Sequence, residues 1–134
     1  MKNKAVIVLV GIGLILAARP VVAHHSFSAE FDANQPIKLT GAVTKFEWTN
    51  PHAWIHIDAK DEAGNVSNWG FELAAASGLM RSGWTRFTLK AGDVVTIEGT
   101  RAKNGSNNAN AQTVTVASTG RKLFAGANTQ GQQP

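Results

Sequence analysis

Residues 52–59, HAWIHIDA, alternate without a break. Ala53, Ile55, Ile57 and Ala59 share one parity; His52, Trp54, His56 and Asp58 share the other. A period of two marks a β-strand with one buried and one outward face. A helix would scatter the same apolar set around its axis. A one-sided strand needs antiparallel neighbours and a core beneath it, so the chain must supply more strands.

Several stretches qualify. IKLTGAVTKFEW (37–48) reads as a long strand in which Ile37, Leu39 and Val43 share a parity that Phe46 and Trp48 do not. The switch between Gly41 and Lys45 predicts a bulge or sharp bend. Long bent strands of this kind let a small barrel turn its corners. Thr49-Asn50-Pro51 is a turn, and DEAGN (61–65) a hairpin turn. VSNWGFEL (66–73) puts Trp69, Phe71 and Leu73 on one face. AAASGLMRS (74–82) suits a short helix stopped by Gly83. GDVVTIEGTRA (92–102) and AQTVTVAS (111–118) are two further strands, joined by an amide-rich loop with an Asn104-Gly105 turn signal. GRKLFAG (120–126) adds one more short extended piece. Trp69, Phe71 and Trp84 are expected in the core, where aromatic residues dominate burial.

Three strands, a short helix and two strands is the order of an OB-fold. The predicted class is all-β with one short helix, a five-stranded OB-like barrel (β-β-β-α-β-β). A small β-sandwich is the alternative. The barrel domain is expected over residues 37–124, after a polar leader at 24–36 and before a disordered tail at 125–134. In the leader, Phe27 and Phe31 are one helical turn apart.

The first residues read differently. Lys2 and Lys4 precede an apolar run from Ala5 to Ala18, and Val21-Val22-Ala23 follows Arg19 and Pro20. A basic start, a short apolar core and small residues at a cut site describe a signal peptide. The run falls short of the ~20 residues of a membrane-spanning helix. Cleavage is expected after Ala23, which predicts a periplasmic or secreted protein that keeps no stable membrane anchor and begins at His24. The formal charge of +4 then shrinks, because Lys2, Lys4 and Arg19 leave with the signal and ten basic residues face nine acidic ones. A basic field for nucleic acid is absent. The chain has no Cys, which excludes thiolate metal sites and cysteine nucleophiles, and no Tyr.

The stretches HHSFSAEFD, FEWTNPHAWIHID, NWGFEL, SGWTRFTLKAGDVVTIEGTRAKNGS and GRKLF together resemble a family of small exported bacterial proteins of unknown function. The resemblance covers nearly all of the chain after residue 23. It implies export and a single domain, and supplies no activity.

The chain has four histidines: His24, His25, His52 and His56. A chain beginning with His can close a chelate between its α-amine and its own ring. The amine's pKa of ~7.7–8 lets a metal displace the proton near neutrality. A third nitrogen from a barrel histidine would complete a T-shaped set, which favours Cu(II). This looks like the histidine brace of copper oxygenases and small periplasmic copper carriers. His25 could add its amide and ring instead. On a straight strand His52 and His56 lie ~13 Å apart. Two ligands of one ion must lie within ~4 Å, so one ion cannot take both. Asp58 could orient a ring.

An OB-fold binds ligands over its second and third strands and the flanking loops. That region offers Trp48, Trp54, Asn104 and Asn107, which suit a small polar ligand. Catalysis finds little support. No GxSxG elbow or phosphate loop is present, although Glu47 and Glu72 could face each other across strands. The predicted function is a non-enzymatic exported binding protein. Copper is held by His24 with His52 or His56, and the alternative is a module for a small polar ligand or an envelope protein partner.

Overall fold

A computed structural model describes residues 27–126. After a single helical turn, α1 (Phe27–Glu30), come strands β1 (Phe31–Glu47), β2 (Trp54–Lys60) and β3 (Val66–Glu72). The helix α2 (Ala76–Arg81) follows, then β4 (Val94–Ala102), β5 (Asn108–Val116) and β6 (Lys122–Phe124). The sheet runs β3-β2-β1-β4-β5-β6, and β3 also pairs with β5. That last pairing is parallel and closes β1 to β5 into a ring, with α2 between β3 and β4. The all-β class and the succession of three strands, a short helix and two strands are those the sequence predicts, and β6 is the further short extended piece.

β1 has 17 residues and pairs with two strands, β2 through its C-terminal half and β4 through its N-terminal half. Its register against β2 slips between Val43 and Lys45, where the parity switch predicts a bulge. Two glycines allow the tightest strand approaches. A Cβ on Gly41 would lie 2.2 Å from the Asp58 carbonyl oxygen, and one on Gly99 1.8 Å from that of Asn110. No side chain fits at either place.

The core lies inside the ring. Ala53, Ile55, Ile57 and Ala59 point inward, with Phe71, Leu73, Val95, Ile97, Ala109, Ala111 and Val114 around them. Trp84 is buried and donates its indole N–H to the carbonyl of Phe124 at 2.9 Å, tying the connector after α2 to β6.

Two expectations need correction. The strand expected from Ile37 starts at Phe31, because the leader pairs with β4 through Phe31 and Ala102 before the main ladder at Pro36. Of the tail expected from residue 125, the described residue Ala125 belongs to the domain instead. Ala125 is buried, accepts a hydrogen bond from the Ala74 amide and donates one to Gln112.

Candidate functional site

The strict alternation of β2 turns Trp54, His56 and Asp58 to the outer face, and His52 precedes the strand beside the cis Asn50–Pro51 bond. Each histidine finds its own partner. The Nδ1–H of His52 donates to the Leu73 carbonyl at 2.9 Å, and Glu72 Oε1 lies 3.4 Å from the same nitrogen. That tautomer leaves Nε2 with its lone pair free. His56 is engaged through Nε2, 2.9 Å from Glu47 Oε2, and its ring stacks on Trp54 with 6.3 Å between centroids. Its other edge lies over Gly70, where a Cβ would come within 3.5 Å of the ring.

The carboxylates beside the two rings differ. Glu47 also pairs with Lys45 at 2.6 Å, and the hydrogen bonds from Lys45 and His56 hold its pKa below the ordinary value. Glu72 is buried. Loss of solvent pushes its pKa up, the charge of Glu30 adds to the rise, and His52 opposes it. A carboxylate that resists ionisation beside an oriented imidazole is the least ordinary pair on this face.

Glu72 also lines a cavity of about 530 Å³ with Trp54, Glu30, Phe31, Lys103 and Asn108. The leader forms one wall. Phe31 is buried and stacks on Phe27 at 5.3 Å. The Lys103 amide donates to Glu30, and its ammonium to the carbonyl of Ser28. The leader is therefore fastened to the loop between β4 and β5, opposite the β2–β3 face. Asn110, in register with Glu72, is buried, and neither atom of its amide has a protein partner.

The structure distributes the sequence-predicted residues unevenly. Trp54 and Asn104 line the cavity. Trp48 packs edge-on against Phe46 and lies outside that lining, and Asn107 contributes its carbonyl to the Gly70 amide. His52 and His56 keep separate partners. His24 and His25 lie outside the described residues, as does the expected cut after Ala23. Among the described residues, no three His, Asp or Glu side chains group as a metal site. Glu47 and Glu72 do not face each other: both are in register with Trp54, on opposite sides of β2. Asp58 accepts from Asn68 and orients no ring. Sequence reasoning missed Glu72 and Glu30 as a pair. The parity of Glu72 beside Trp69 and Phe71 places it on the outer face, but its burial and the charge of Glu30 acting on it follow from the tertiary structure.

A closed five-strand ring with a short helix between its third and fourth strands, and a cavity beside Trp54 of β2 and Glu72 of β3, defines a small all-β protein. The chain matches a family of unknown function (DUF6152) over residues 12–111 and belongs to it. Comparison with curated proteins and with solved structures gives no match.

Proposed function

We propose that this is an exported, non-enzymatic copper-binding protein in which the amine and ring of His24, freed by cleavage after Ala23, act with Nε2 of His52. The observation that carries this reading is the fixed His52 ring. Its Nδ1–H is committed to Leu73, so the nitrogen left over is the one a metal takes. A backbone carbonyl behind a ligating imidazole sets its tautomer and raises its basicity. His56 is the poorer candidate, because Glu47 holds its Nε2.

The leader supports the same choice. It is fastened at Phe31 and Glu30, beside Glu72, which touches His52. Three residue steps lead from His24 to Phe27, a reach of at most about 11 Å. All three proposed donors are nitrogens, a set that suits Cu(II) over harder cations.

The test is a Cu(II) titration of protein that begins at His24, beside a form carrying an extra N-terminal Met. His52→Ala and His56→Ala are measured in the same way. Tight binding should be lost in the Met-extended form and in His52→Ala, and kept in His56→Ala. Equal affinity in all four proteins would refute the reading.

The cavity supports a second reading, a module for a small polar ligand. Trp54 offers a ring face, while Lys103, Asn104, Ser106 and Asn108 surround it with polar groups. A thermal-shift screen of neutral sugars and polyols, with Trp54→Ala as control, tests it. A hit retained in the control would count against this site.

A further inference from the structure

We propose that the α2 end of the ring docks reversibly on an anionic phospholipid surface, through Phe87 and three arginines. Charge is divided sharply along the chain. Residues 27–72 carry seven acidic and three basic side chains, whereas residues 73–126 carry seven basic and two acidic ones. Both acids of the second part are spoken for, Asp93 by Lys90 and Glu98 by Lys38 and Lys122. Arg81, Arg86 and Arg121 form no ion pair among the described residues.

These arginines surround the connector after α2. Gly83 bonds back to Met80, and the guanidinium of Arg121 lies 3.6 Å from where a Cβ on Gly83 would sit. Arg81 ends α2. Arg86 and Phe87 follow the buried Trp84 on a turn closed by the Thr88 amide bonding to Thr85. Phe87 is 85% exposed and Met80 59%. A phenyl ring that exposed does no work in the core 27–126 builds.

The chemistry selects the occupant. Guanidinium groups grip phosphate oxygens in pairs and are weakly hydrated, so they suit a phosphodiester surface. One aromatic tip between cations is the pattern of an interfacial contact, in which the ring sits at headgroup depth. A protein-protein hot spot would instead gather its apolar side chains in one patch ringed by polar ones. With Phe87 as its most exposed ring and three cations, the contact is weak, reversible and salt-sensitive.

The test is cosedimentation of the protein that begins at His24 with vesicles of phosphatidylglycerol and phosphatidylcholine, or of phosphatidylcholine alone. Binding is expected only with phosphatidylglycerol and only at low salt. Each Arg→Gln substitution should weaken it about fivefold, and Arg81→Gln/Arg86→Gln/Arg121→Gln together about a hundredfold. Phe87→Ser should weaken it about tenfold. All four side chains are on the surface, so circular dichroism and melting should stay unchanged, which separates lost docking from lost folding. Equal binding to neutral vesicles, no binding to anionic ones, or a triple variant that binds like the parent would overturn the proposal. So would Phe87-dependent self-association without lipid.

Discussion

Glu72→Gln isolates a buried carboxylate. The Glu72 side chain is 12% exposed. Its nearest nitrogen already donates to Leu73, and Glu30 adds a like charge. Above its own raised pKa the Glu72 carboxylate is charged in a site where burial and Glu30 disfavour the charge and only His52 opposes them. Gln keeps the shape and drops the charge. Leaving a buried polar group poorly satisfied costs about 1–3 kcal/mol, so Gln should recover at least about 1 kcal/mol at pH 7.5. For a domain of ~100 residues that is a rise in melting temperature of about 4–8 °C. The sign follows from linkage. A carboxylate whose folded pKa is raised binds its proton more readily in the folded state, so it costs stability as pH rises. The cost is absent below the ordinary value of 4.5 and complete above the raised folded value. Parent and variant should melt together near pH 3.5 and diverge as pH rises. Both should weaken in acid, because Glu47, Asp61, Asp93 and Glu98 have lowered pKa values and lose their contribution on protonation. The assay is thermal denaturation by circular dichroism across pH 3.5–8, with EDTA present. Glu30→Gln should give a smaller gain that vanishes in the Glu72→Gln background. A variant no more stable than the parent at pH 7.5, or a gap independent of pH, would show that burial of this carboxylate is not what the folded state suffers.

Gly99→Ala should cost upward of ~3 kcal/mol, since its Cβ would have to displace the backbone at Asn110; soluble yield and melting temperature check this, and a shift of only a few degrees would contradict it. Phe31→Ala should release the leader without unfolding the ring. Hydrogen exchange should speed up at the Lys103 amide, which bonds to Glu30, and stay slow at Ile97 in β4. Trp84→Phe leaves the Phe124 carbonyl without its donor, at about 1–2 kcal/mol, and should expose the β5–β6 turn to limited proteolysis.

Much of the architecture is written locally. Alternation in residues 52–59 sorted inward from outward side chains, because the pleat imposes a period of two whatever the neighbours are. The parity switch after Val43 announced the bulge, and Gly83 the end of α2. The site was less legible, since its pieces come from distant parts of the chain. The sequence marked His52, His56 and Trp54 as outward, yet could not say that Leu73 would take one proton of His52 or that Glu47 would hold His56. Those partners depend on register between strands. The parallel β3–β5 pairing that closes the ring, the pairing of Phe31 with Ala102 of β4, and the burial of Glu72 were decided by tertiary structure alone. Each joins residues far apart in sequence, and the free energy of such contacts exists only once the whole ring is assembled.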